Sequence, residues 1–282
     1  MMGAPCQTAD MSGSVVMRRS LGRRLKALRH AAGKTAADVQ MAQLASTAKL
    51  NRVENGSSQG VKVADVIALC QFYGADRETS DALVELAKST NADGWWEDFG
   101  DVMPTWFGTF VELEAAATRL HVYDPELVYG LLQTPAYQRA VFEAAPWLDA
   151  GVVEGRARLR TQRQRAAFER TPPLEMTFVM GQGVLERLVG GPDVADAQRQ
   201  YLVDQTQLPH MELRVLPWSA GAHPCMTGPF VILGFDSADD PDVLYLEQAS
   251  AARYIEQERT VTEYRRLFDA ACRKSIAIEE FL

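Results

Sequence analysis

Between Leu21 and Lys88 the chain is written in short helical words, each closed by a glycine or opened by a capping residue, a spacing that favours packed helices over a sheet. The segment LGRRLKALRHAAG sets Leu21, Leu25 and Leu28 at helical spacing, with Arg and Lys on the other side and Gly33 as the stop. Thr35 is placed to cap a second helix, roughly Ala36 to Gln43, with Val39 and Ala42 turned inward. Ser46 caps a third, TAKLNRVEN, which Gly56 ends. A fourth helix is expected at about Val63 to Tyr73, with Val66, Leu69 and Cys70 on one face, and a fifth at about Arg77 to Lys88. The expectation is an all-α five-helix bundle over residues 18–90.

At 282 residues the chain is too long for one such module. Its 47% hydrophobic and 23% charged content excludes disorder as the main state. Residues 1–17 read as a disordered tail, without the cationic start and apolar run of a secretion signal. The longest uncharged stretch, Val215 to Phe235, is broken by Pro217, Gly221, Pro224, Gly228 and Pro229, so no membrane span is expected. Four scattered cysteines, Cys6, Cys70, Cys225 and Cys272, form no metal-ligand pattern, and His223 with Cys225 lacks a third ligand. Free thiols in a cytoplasmic setting are the expectation, with no metal and no cofactor.

Charge is divided unevenly. Val15 to Lys62 carries ten Lys/Arg against two acids, while the rest of the chain carries 19 bases and 35 acids. A basic module that can approach a polyanion is joined to an acidic one that would be repelled. The segment NADGWW marks the boundary, leaving 91–282 as a second domain. Helices are expected there at Pro104 to Leu120, Thr134 to Ala144, Val152 to Arg170 and Arg259 to Lys274. The third carries Arg156, Arg158, Arg160, Arg163 and Arg165, read as a solvated face paired with the domain's acids. Strand-like runs begin at Leu174, Met211, Gly228 and Asp242, giving an α+β domain with a small antiparallel sheet.

In a helix-turn-helix, one helix crosses the DNA backbone and holds the next with its first residues at base edges in the major groove. If Leu50 and Val53 point inward, Ala48, Asn51, Arg52 and Asn55 fall on the opposite face, flanked by Thr47 and Lys49. The words LGRRLKALRHAAGKT and KLNRVENG resemble the phage-repressor (Xre-type) helix-turn-helix. That resemblance implies an ion pair between Arg29 and Glu54, DNA-facing positions at Ser46, Thr47, Ala48 and Arg52, and a phosphate contact at Asn55. Arg52 and Thr47 would contact bases, Ala48 a thymine methyl, and Ser46, Lys49 and Asn55 phosphates. Two positions depart from the pattern: Ala36 stands where a phosphate-binding glutamine is usual, and Leu44 where the turn has glycine. If that turn still requires positive φ, Leu44 must adapt to it.

Downstream, GWWEDFGDVMPTWFGTFVELEAAATRLHVYDPELVYGLLQTPAYQRAV and VLPWSAGAHPCMTGPFVILGF resemble the C-terminal domain of uncharacterised function in actinobacterial regulators described as antitoxin-like. The resemblance implies either a dimeric regulator of a double-stranded DNA operator, controlled through its C-terminal domain, or an antitoxin-like protein capturing a small neighbour-encoded partner. Trp95, Trp96, Trp106 and Phe107 are read as a core seat for the second domain, with a partner or ligand groove as the alternative. No catalytic motif is expected to operate: the G-x-S-x-G match at Gly56 to Gly60 follows a helix where an esterase needs a strand, and Walker and H-E-x-x-H words are missing.

Overall fold

In the computed structural model, residues 13–58, 61–90, 95–104, 106–145, 147–236 and 240–282 are described. The chain divides into two units, Met1–Glu97 and Asp98–Leu282.

The first unit is built from α1 (Gly13–Ala31), α2 (Ala36–Met41), α3 (Thr47–Glu54), α4 (Val63–Tyr73) and α5 (Arg77–Ser89). Each apolar stripe lands in one core: Leu21, Leu25, Val39, Leu50, Val66, Leu69 and Leu83 are all buried. Burying each such side chain contributes roughly 1.5–3 kcal/mol, which outweighs the weak intrinsic stability of helices this short. Side chains start the helices where the capping residues stand. Thr35 accepts from the Asp38 N–H and Ser46 from the Lys49 N–H, both at 3.2 Å, while Asp76 accepts from the Thr79 N–H at 2.7 Å.

Some details depart from the sequence reading. α1 begins at Gly13, so residues 13–17 of the expected tail are helical, because a helix once nucleated extends beyond its apolar stripe; residues 1–12 of that tail, with Cys6, lie outside the described residues. α2 stops at Met41 and Ala42 is exposed, not inward. The positive φ of the following turn lies at Gln43 (φ 58°), one residue before Leu44. Gln43 N–H bonds the Gln40 carbonyl at 2.9 Å and Leu44 N–H the Val39 carbonyl at 3.2 Å, the paired bonds that close a helix through a left-handed residue. Leu44 is thereby freed to pack on the core.

The second unit corrects the fold class. Its sheet is neither small nor antiparallel: seven strands run in the order β6-β5-β4-β1-β2-β3-β7. They are β1 (Arg119–Asp124), β2 (Glu175–Gly181), β3 (Met211–Leu216), β4 (Phe230–Gly234), β5 (Val243–Gln248), β6 (Ala251–Ile255) and β7 (Ile276–Ala277). β1, β2 and β3 are parallel, and the remaining pairings are antiparallel. Parallel neighbours require long crossovers, and two supply them. The first is α7 (Pro135–Glu143) with α8 (Ala150–Phe168); the second is α9 (Gln182–Glu186) with α10 (Pro192–Gln205). The sequence reading overlooked α10 and ran the helix α6 (Phe107–Ala116) into β1, which concealed both crossovers. With α11 (Glu258–Lys274) and α12 (Ile278–Phe281) the described residues hold twelve α-helices, so a five-helix bundle describes only the part before the boundary.

Register places Val122 opposite Phe178 and Val231, and Val231 opposite Tyr245, on one face of the sheet. That face packs on α6, where Phe110 lies 4.2 Å from Tyr245 between ring centres. The other face, with Tyr123, Val179, Phe230 and Ile232, is covered by Val261 and Phe268 of α11. Among the described residues no helix is long and apolar enough to cross a membrane.

Candidate nucleic-acid interface

α3 is held from behind by one buried ion pair and two glycines. Arg29 Nε donates to Glu54 Oε1 at 2.6 Å and Nη2 to Oε2 at 2.8 Å, while Nη1 caps the Lys34 carbonyl at 2.9 Å. This bidentate contact joins the end of α1 to the end of α3 with both charges buried. The Glu54 hydrogen bond raises the Arg29 pKa, and burial, with the Glu54 charge nearby, pushes the Tyr73 hydroxyl up to about 12. Gly22 lets α1 lie directly against the end of α3, since a Cβ there would sit 2.4 Å from the Val53 carbonyl oxygen. Gly56, at φ 67°, ends α3 in the left-handed region, and a Cβ there would lie 2.8 Å from Arg19 Cα.

With Leu50, Val53 and Glu54 buried, the opposite face of α3 is open. Ala48, Asn51, Arg52 and Asn55 are exposed at positions i, i+3, i+4 and i+7, a single stripe. The Arg52 guanidinium has no partner among the described residues.

Three other residues of the implied contact set are engaged within the protein. Ser46 caps α3. The Thr47 hydroxyl donates to Gln40 Oε1 at 2.7 Å, which ties the start of α3 to α2. Lys49 Nζ lies 2.5 Å from Asp65 Oδ2, so its charge is shared with α4 and not held solely for a phosphate. Gln40 and Asp65 were not singled out in the sequence; the seven-residue step from Gln40 to Thr47 across the turn is the signal for the first. At the start of α2, Ala36 offers no polar side chain, and the Thr35 N–H is used by the Asp38 carboxylate at 2.7 Å.

The four aromatic residues expected near the boundary fall in different units. Trp95 and Trp96 lie on a 3-10 turn (Trp95–Phe99), with ring centres 5.8 Å apart and Trp96 buried. Trp106 and Phe107 belong to the second unit. The Trp106 carbonyl accepts from Tyr254 Oη at 2.6 Å, and Phe107 stacks on Phe110 at 5.4 Å.

The arginine-rich helix fits only in part its reading as a solvated face paired with the domain's acids. Arg158 and Arg165 are exposed, whereas Arg163 is buried in a bidentate pair with Glu114, both bonds 2.7 Å. Arg156, Arg160 and Arg163 stand at i, i+4 and i+7, a spacing that marks one helix face and was legible in the sequence.

Residues 20–83 match a model of a helix-turn-helix domain. No curated protein and no solved structure matches the chain. A second model, of a domain of unknown function (DUF5753), matches residues 107–280, more than half of the chain, and the chain therefore belongs to that family, joined to an N-terminal helix-turn-helix domain.

Proposed function

We propose that this protein is a sequence-specific transcriptional regulator without enzymatic activity, acting as a dimer on a double-stranded DNA operator and controlled through its C-terminal unit. The observation that carries this reading is the exposed stripe Ala48, Asn51, Arg52 and Asn55 on a helix whose other side is locked by Leu50, Val53 and the Arg29–Glu54 pair. Such a helix can enter a major groove as a rigid body. Arg52, unpartnered among the described residues and central in the stripe, is assigned a base contact. Asn51 and Asn55 are assigned contacts along the groove, and Thr47, held by Gln40, lies at its edge. Two recognition helices in a dimer would read half-sites about one helical turn apart.

The test is titration of the full chain against the DNA upstream of its own gene at several salt concentrations, with competitor DNA present. Expected is specific binding that weakens steeply with salt, and a loss of about 1–3 kcal/mol with relaxed specificity in Arg52→Ala. Unchanged affinity in that variant would remove the base-contact role, and sequence-indifferent binding by the parent would remove the regulator. A second reading, an antitoxin-like capture of a small neighbour-encoded protein, draws on the exposed Trp147, Trp218 and Met226 of the acidic C-terminal unit. Co-purification of that neighbour with the chain would favour it.

A further inference from the structure

The second unit contains a cavity under the sheet face that carries Val122 and Tyr245, in two lobes of about 200 and 170 Å³. The lobes share Phe107, Arg160, Arg163 and Glu247 as walls. The first opens at the C-terminal end of β1, the strand at which pairing changes from parallel to antiparallel. That is where open α/β sheets place ligand crevices.

The two arginines are not equivalent. Arg163 is neutralised by Glu114, whose carboxylate also accepts from Tyr129 Oη at 2.6 Å, and its guanidinium lies 5.0 Å from the Phe107 ring centre. Arg160 has no carboxylate within ion-pair distance among the described residues. Its Nη1 donates to the neutral Gln133 amide oxygen, and its guanidinium lies 4.9 Å from the Phe142 ring centre. Its Nε is buried without a partner among the described residues. Burial and then the neighbouring Arg163 push its pKa down to about 9, as expected for a cation lacking a counter-ion.

Two further features face the same space. Tyr245 is 3% exposed, and its buried hydroxyl has no hydrogen-bond partner within 3.5 Å among the described residues. Burial first, and then the charge of Glu247 two residues on, raises the pKa of that hydroxyl. Gly130 leaves room beside Arg160: a Cβ there would stand 3.3 Å from Nε. A half-buried cation whose Nε is buried and unbonded, beside a buried hydroxyl without a bond among the described residues, is costly unless something occupies the space between the aromatic walls.

We propose that this cavity binds a small organic anion, an apolar body bearing a carboxylate or a phosphate, with Arg160 as its counter-ion and Tyr245 as a second donor. The assignment stands apart from DNA binding, because it is read on the free protein. Benzoate and phenyl phosphate serve as probes, with benzamide as the neutral match, in calorimetric titrations of the full chain. The expected result is saturable one-to-one binding of at least one anion, at least tenfold tighter than benzamide; whichever anion binds more tightly separates carboxylate from phosphate. Arg160→Gln and Gly130→Ala should each weaken binding at least tenfold, while Arg158→Gln, on the exposed side of the same helix, should leave it unchanged. Gly130 has no left-handed φ, so its alanine variant tests the site even where Arg160→Gln does not fold. Absence of saturable binding by both anions, or binding indifferent to both substitutions, overturns the proposal.

Discussion

Arg29 and Glu54, 25 residues apart, meet in a bidentate pair at 2.6 and 2.8 Å with both side chains buried. One end of the pair belongs to α1 and the other to the last turn of α3, so the orientation of the exposed stripe depends on it. Removing one partner leaves a buried charge alone, which costs about 3–5 kcal/mol, a large part of the stability of a unit this size. Glu54→Ala should therefore lower the unfolding free energy of the helical unit, read from urea denaturation, by that amount. The double variant Arg29→Met with Glu54→Leu should recover most of the loss, since it buries no charge. A cost below about 1 kcal/mol for Glu54→Ala would mean that the pair does not hold α3.

The glycines at this junction separate backbone conformation from close approach. Gly33 and Gly56 both have positive φ, at 64° and 67°, but only Gly56 has a neighbour where a Cβ would go. Gly33→Ala should cost roughly 1–2 kcal/mol from the left-handed backbone alone. Gly56→Ala should cost more, because a Cβ 2.8 Å from Arg19 Cα forces α1 and α3 apart. Gly22→Ala, with no left-handed backbone but a contact at 2.4 Å, should resemble Gly56→Ala in size. Chemical denaturation of the three variants decides it, and equal losses at Gly33 and Gly56 would show that the helices yield without cost.

The helices before the boundary were legible because the signals are local. Thr35, Ser46 and Gly56 mark ends, and Leu21, Leu25, Val39 and Leu50 repeat on a helical period. The Arg29–Glu54 contact was implied only by resemblance, since nothing in the spacing joins residues 25 apart. The second unit was less legible because its sheet is decided by non-local pairing. β1 follows α6 after only two residues and continues its apolar pattern, so periodicity could not separate them. α10 has a weakly segregated mixture of polar and apolar residues, so the second crossover, and with it the parallel order, went unseen. Arg160 and Arg163 read as solvated charges paired with acids, because composition gives no sign of which acid meets Arg163 or that the pair is buried.

Acid should weaken the helical unit through its caps. The Asp38 carboxylate is held below the usual range first by its bond from the Thr35 backbone, and the Asp76 carboxylate by its bonds from Thr79. A pKa lower in the folded chain means that the unfolded chain binds more protons, so stability rises with pH across this window. The contribution is present above the ordinary value of 3.8 and is lost as pH falls through the folded values. Urea midpoints measured at pH 6 and pH 3 should differ less in the double variant Asp38→Asn with Asp76→Asn than in the parent. An undiminished difference would assign the acid sensitivity to other carboxylates.

The turn between α2 and α3 gives the sharpest contrast between resemblance and structure. Glycine is usual at the place of Leu44, yet the left-handed residue is Gln43, and Leu44 packs on the core. Gln43 adopts φ 58°, at a cost of roughly 1–2 kcal/mol relative to glycine. Gln43→Gly should therefore stabilise the unit by up to about 1 kcal/mol, the remainder being offset by the greater freedom of glycine in the unfolded chain. Leu44→Gly should do the reverse, since it removes a core side chain and relieves no left-handed backbone. Because Thr47 is fastened to Gln40 across this same turn, Gln43→Gly should leave DNA affinity unchanged. Stabilisation by Leu44→Gly and destabilisation by Gln43→Gly would place the left-handed residue one position later and restore the repressor-type turn.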